Sequence, residues 1–304
     1  MILSLIASDY VQTLKPFQLT YTSTSTGMLR LALNNWGISK RTLAAVKYGG
    51  GSILVNGVEV TVRHVLNKGD AVTVIFPVEQ QSDGLTTQIG DLSIVYEDEA
   101  LLIVDKMPFQ NTIPSREHPE GSLANFVAGH FQQQGTPATL HILTRLDRDT
   151  SGLVCIAKNR HIHHLLSGQQ KTKEMKRGYE AFVHGTISKD SFVISEPIGR
   201  KSSSIIEREV RADGKNAETE VSVISKHPLF SHIKLQLNTG RTHQIRVHLA
   251  HIGHPLLGDD LYGGKRELIG RQALHCCRLE LLHPLNGQHM AFQSKLNADM
   301  ENLI

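Results

Sequence analysis

Residues 79–91 read EQQSDGLTTQIGD, a polar, glycine-containing run with neither a helical nor a strand period. Such a run connects folded units and does not itself build a core. The 304-residue chain is therefore expected to divide into 1–78, a linker at 79–91, and 92–304. A hydrophobic pattern cannot continue across this break, so each side must close its own core. The length agrees, because about 150 residues per domain gives two.

The front part reads as a compact module. MLRLALNNWG (28–37) puts Leu29, Leu33 and Trp36 at helical spacing, and Gly37 supplies a stop. SKRTLAAVKYGG repeats the device, with Ser39 as N-cap and Leu43 and Val46 facing inward. SILVNGVEV predicts a hairpin turning at Asn56-Gly57, and AVTVIF alternates as a strand. Lys40, Arg41 and Lys47 ride on the second helix, and Arg63 follows the hairpin. A solvated basic face explains them, and so does a polyanionic partner.

Beyond the break, LSIVYEDEALLIVDK predicts a strand pair around an acidic turn, and GLVCIAK a further strand running into a helix at RHIHHLLSG. SLANFVAGHF predicts a helix with Leu123, Phe126, Val127 and His130 on one side. ETEVSVIS and HIKLQLN alternate with period two and suit antiparallel strands with one covered face. THQIRVHLAHIG returns to helical spacing through Ile245, Leu249 and Ile252 and ends at Gly253. Strands and helices mixed without a regular βαβ rhythm make the fold class α+β.

The net charge of +3 permits an acidic partner without demanding one. The three cysteines, Cys155, Cys276 and Cys277, have no disulfide-framework spacing and point to a reducing, cytoplasmic setting. The opening MILSLIASDY is apolar but short and lacks a basic leader, so neither a signal peptide nor a membrane span is expected. Seventeen histidines invite a metal reading. The runs at 161–164 and at His243, His248, His251 and His254 contain no His-Glu-x-x-His, and no cysteine pair completes a zinc set, so no metal is expected. Ser151 fails as a hydrolase nucleophile, since Asp149 stands where the strand-turn-helix elbow needs glycine.

The acid–base pieces remain. LTRLDRDTSGLV (143–154) packs Arg145, Asp147, Arg148 and Asp149 beside a Thr-Ser-Gly turn. Neighbouring arginines keep a carboxylate ionised, and an ionised carboxylate can attack carbon. Composition does not choose between the two aspartates, although one just before Thr150 and Ser151 commonly holds a turn. KEMKRGYEAFVHG places Tyr179 on a strand after Lys176 and Arg177, an arrangement suited to a stacked nucleobase with its phosphate held nearby. NTGRTHQIRVHLAHIGHPLLGDDLYGG (238–264) adds Arg241 and Arg246 at a helix start, where phosphates bind well. GDDLYGG within it reads as a structural turn.

RLDRDTSGLV, KRGYEAFVHG and TGRTHQIRVHLAHIGHPLLGDDLYGG, in that order, resemble the RluA family of RNA pseudouridine synthases, and LSIVYEDEALLIVDK resembles that family's opening strands. The helix pair, VNG and GDAVTV of the front part resemble the RNA-binding domain named after ribosomal protein S-four. Together the two resemblances span nearly the whole chain. They imply a mixed, mainly antiparallel sheet in two halves flanked by helices, with an RNA cleft between the halves and a small RNA-binding module in front. They imply isomerisation of uridine in structured RNA, rRNA in preference to tRNA, by a monomer that needs no cofactor. Carried over by motif, Asp147 is the catalytic aspartate and Arg246 its paired arginine. Arg145 enters the base stack in place of the uridine, and Tyr179 packs on the target ring. Lys176, Arg241, Lys40, Arg41 and Lys47 fall to RNA binding.

Two departures from the family stand out. Thr144 occupies the place of a histidine that precedes Arg-Leu-Asp, a position expected to touch RNA and tune substrate preference. DKMPFQNTIPS lacks the Lys-Pro-x-Gly order, with only Lys106 and Pro114 in place. Two rival readings are a non-catalytic RNA-binding or ribosome assembly factor, and a metal-dependent phosphate-ester hydrolase using the histidines with Asp259 and Asp260.

Overall fold

A computed structural model describes residues 16–79, 84–135 and 139–304. The opening decapeptide lies outside them. In the front module, strands run in the order Gln18–Thr22, Ala71–Ile75, Ser52–Val55 and Val58–Glu59, antiparallel throughout. Asn56 and Gly57 both take positive φ, 52° and 84°, as a type I′ turn requires. Helix α1 (Leu29–Asn35) buries Leu29 and Leu33. In α2 (Lys40–Tyr48) the Ser39 hydroxyl accepts the Thr42 N–H, and Thr42 and Val46 turn inward. Leu43 lies half-buried against the same cluster, which Ile53, Val72 and Val74 complete.

The larger body is one ten-stranded sheet. Its main path runs Ser191–Ile194, Thr219–Lys226, Phe230–Leu237, Lys176–His184, Leu274–Leu282, Ser151–Ala157, Leu101–Lys106 and Ile94–Glu97. Every pairing is antiparallel except the central one, where Ser151–Ala157 meets Leu274–Leu282 in parallel. That seam joins the two halves. Gly152 sits on it at φ 111°, and a Cβ there would come within 2.3 Å of the Cys276 carbonyl oxygen. The glycine of Thr-Ser-Gly is thus a packing requirement of the seam. The α+β architecture, mainly antiparallel with helices on its faces, is the one expected.

Helices α3 (Leu123–Gln133) and α4 (Arg160–Thr172) are capped by Ser122 and Asn159. On α3 the buried row is Leu123, Ala124, Val127, Ala128 and Phe131. Phe126 and His130, expected on that face, are only half-buried. The described end of the polar stretch lies along this helix, where Asn125 holds the Thr86 carbonyl and a Cβ on Gly129 would strike Gln88. Packing of that segment tilts the buried face toward the small residues. Helix α5 (Gln244–His251) ends at Gly253, φ 82°. Among the described residues no helix is long and apolar enough to cross a membrane.

Candidate active site

The loop 143–150 enters the central strand at the seam, and four consecutive carbonyls of it are held, three of them from elsewhere in the fold. Leu146 O accepts from the Thr112 hydroxyl at 2.6 Å, and Asp147 O from the Thr150 N–H at 3.1 Å. Arg148 O accepts from the Lys106 ammonium at 3.0 Å, and Asp149 O from Arg271 at 3.0 Å. Thr150 itself takes a hydrogen bond from Gln272, and Ser151 bonds His275. A loop so tied presents its side chains in one geometry, which is what a reactive group needs.

Asp147 projects into a cleft of about 840 Å³ between the two halves of the sheet. Its Oδ2 lies 3.1 Å from Arg246 Nη1 and 3.8 Å from His243 Nε2. Its Oδ1 has no hydrogen-bond partner among the described residues. Asp149 is not part of the cleft wall; its side chain accepts from Arg148 Nε at 2.8 Å. The structure therefore separates the two aspartates that composition could not, and gives Asp149 an ion pair in place of the expected turn.

Arg246, on α5, is 7% exposed. Its Nε and Nη2 fork onto Asp259 at 2.7 and 2.8 Å, which leaves Nη1 for Asp147. Burial works against the guanidinium's charge, but Asp259 and Asp147 hold its pKa above the ordinary arginine value. The guanidinium carbon lies 4.9 Å from the centre of the Tyr262 ring, a further cation-stabilising contact. The Tyr262 hydroxyl accepts the Arg208 N–H at 2.9 Å and bonds His243 Nδ1 at 2.8 Å. With its oxygen taken by a backbone donor, Tyr262 gives its own hydrogen to Nδ1, which puts the His243 proton on Nε2, facing Asp147. Burial lowers the His243 pKa.

Tyr179 forms the opposite wall, buried, with Arg177 Nη1 3.5 Å from its hydroxyl. Burial raises the phenol's pKa and keeps it protonated. Arg145, Lys176 and Arg241 line the same cleft and are exposed; Arg241 Nε also holds the Asn216 carbonyl. Lys40, Arg41 and Lys47 lie apart from it, exposed along α2. Thr144 lines the cleft with little exposed surface. It is buried, and its hydroxyl accepts the Cys155 N–H at 2.9 Å, so it shapes the entry to the central strand.

Sequence reasoning missed Asp259, Tyr262 and His243 as parts of this site, while Arg177, read there beside Tyr179, lines the cleft. Asp259 is 1% exposed and stands in the stretch read as a plain turn. Asp260 beside it points elsewhere, to Arg266, so the pair does not form the acidic couple a hydrolase would use. Among the described residues no three His, Cys, Asp or Glu side chains gather as a metal site.

A family described as RNA pseudouridylate synthase matches residues 101–251. The uncharacterized RNA pseudouridine synthase YjbO of Bacillus subtilis is 50% identical over 268 residues, 88% of this chain and 95% of that protein. The ribosomal large subunit pseudouridine synthase D of Pseudomonas aeruginosa is 35% identical over 263 residues, 82% of each chain. The human RNA pseudouridylate synthase domain containing 1 superposes with a TM-score of 0.58 at 25% identity, covering 70% of this chain and 89% of that one.

Proposed function

Because this chain belongs to the RluA family of RNA pseudouridine synthases, enzymes that isomerise uridine to pseudouridine in RNA, we propose that it acts on specific uridines of ribosomal RNA with Asp147 as nucleophile. The observation that carries the reading is the carboxylate of Asp147, fixed by its tied loop and by Arg246, with one oxygen open to the cleft. The resemblance to a large-subunit enzyme supports rRNA over tRNA.

A uridine within a helix hides the edge that must react, so the base is flipped out at a cost of a few kcal/mol. Arg145, exposed on the rim, takes the vacated space and offsets part of that cost. Asp147 bonds covalently to the nucleoside, and the bond from uracil N1 to ribose C1′ breaks. The uracil turns against the Tyr179 ring, C5 joins C1′, and the aspartate is released. The proton on C5 departs and N1 gains one, so no atom is added or lost and no cofactor is needed. Arg246, buried and fixed by Asp259, aims the carboxylate of Asp147 and stands ready to stabilise charge there. Residues 1–78 serve as the S-four-type RNA-binding module, with Lys40, Arg41 and Lys47 on phosphates. The enzyme works as a monomer in the cytoplasm.

Asp147→Asn tests the assignment. RNA binding should persist while pseudouridine formation stops, and appreciable residual turnover would exclude Asp147 as nucleophile. Mapping pseudouridine in cellular RNA with and without the protein tests the substrate; loss confined to tRNA would remove rRNA.

A further inference from the structure

We propose that the turn Met107–Pro108–Phe109–Gln110 is a platform on which a base of the RNA substrate, flanking the target uridine, stacks on the Phe109 ring. Sequence and backbone conflict at this turn. Proline suits its second position, but the third position takes φ 63°, where a tight turn calls for glycine or asparagine. A bulky residue there is strained.

Burial does not compensate. Phe109 is 59% exposed and Met107 beside it 57%, and among the described residues neither joins a hydrophobic cluster. The turn is nevertheless fixed in place. Lys106, itself 1% exposed, donates to Met107 O and Gln110 O at 2.8 Å each. Its third hydrogen goes to Arg148 O at 3.0 Å. One buried ammonium therefore joins this turn to the loop that carries Asp147.

The chain runs on from the turn through Asn111 to Ser115 into the cleft wall. The turn thus adjoins the cleft wall along the chain, and Arg148, which lines the cleft, is half-exposed and ion-paired with Asp149. A strained, solvent-facing aromatic kept rigid beside a reactive site suits contact with a ligand better than folding. A ring for the base and a guanidinium for its phosphate match single-stranded RNA. A protein partner would need about 800 Å² on each side, more than four residues present.

This inference rests on the cleft taking RNA. Affinities of the wild type, Phe109→Gly, Phe109→Leu and Phe109→Trp are measured on transcripts of large-subunit rRNA and of tRNA, alongside thermal melting. The transcript that the wild type binds more tightly serves as the probe. Phe109→Gly should melt at or above the wild-type temperature, since the strain is gone. It should bind RNA at least about fivefold more weakly, the lower end of what one base–aromatic stack contributes. Phe109→Trp should retain affinity, with Phe109→Leu in between. Wild-type affinity in Phe109→Gly overturns the proposal, as does an affinity loss that only accompanies a fall in melting temperature. These are binding measurements, so a failure of Asp147 as nucleophile would show in turnover and leave them standing.

Discussion

Asp259→Asn separates the carboxylate that aims Arg246 from Asp147, the nucleophile proposed above. The wild-type fork places two charge-assisted hydrogen bonds of 2.7 and 2.8 Å on a side chain 1% exposed. An amide keeps the shape but offers one acceptor, and turns a donor toward the second guanidinium N–H. Breaking a buried ion pair from one side costs about 3–5 kcal/mol. Arg246 still reaches Asp147 at 3.1 Å and can swing toward it, which puts the loss near the lower end, ~3 kcal/mol. At about 2–4 °C per kcal/mol for a domain of this size, the melting temperature should fall by roughly 6–12 °C. The swing would move the Asp147 carboxylate by the order of an ångström, enough for a loss of about 100-fold in kcat. RNA affinity should hold, because Asp259 is absent from the cleft wall. Calorimetry and single-turnover pseudouridine formation at saturating RNA read both quantities. Wild-type melting with wild-type kcat would refute the claim that Asp259 positions the guanidinium.

Two further perturbations act where the front module meets the body. Glu79 would have its carboxyl raised by burial, but hydrogen bonds from His141, from Thr139 and from the Arg160 N–H hold it at about 2. A depressed carboxyl contributes stability that is present above its ordinary pKa near 4.5 and lost as pH falls toward 2, about 3 kcal/mol across the gap. Glu79→Gln should be less stable by that order at pH 7 and converge with the wild type near pH 2 in denaturant titrations; parallel profiles would sink the idea. His161 stacks on Phe76 at 4.9 Å with neither ring nitrogen bonded among the described residues, and burial, with His164, pushes it down to about 4. The unfolded chain then binds the extra proton between pH 6.5 and 4, so stability drains as pH falls through that window. His161→Phe should remove this slope and gain about 2 kcal/mol over the wild type between pH 7 and 5, and an unchanged slope would count against it.

What the sequence displayed well was local. The N-cap at Ser39, the Asn56-Gly57 turn and the period-two strands depend on neighbours within a few positions, and each stands where expected. The face of α3 was misjudged because hydrophobicity marked Phe126, whereas Ala124 and Ala128 are buried and the backbone of Gln88 approaches Gly129. Thr144 lines the cleft, but its motif gave no sign that its hydroxyl would accept from the next strand. Asp147 and Arg246 were legible only as parts of longer motifs. No periodicity connects positions 99 residues apart.

The site's rigidity explains why its supporting residues stayed hidden. The four carbonyls from Leu146 to Asp149 are held by residues 112, 150, 106 and 271. Of these only Thr150 is near in sequence, and none is chemically conspicuous. Lys106 stands out only as part of a broken motif until its three hydrogens are assigned, and Arg271 reads as one more basic residue until Asp299 is seen across it. A hydrogen-bond donor carries no mark of the acceptor it will meet, so such residues can be inferred only once the fold supplies the acceptors. The same asymmetry applies to Asp259. Asp147 and Asp259 are one residue type, and what distinguishes them is that Asp147 keeps an oxygen open to the cleft while Asp259 spends both on Arg246.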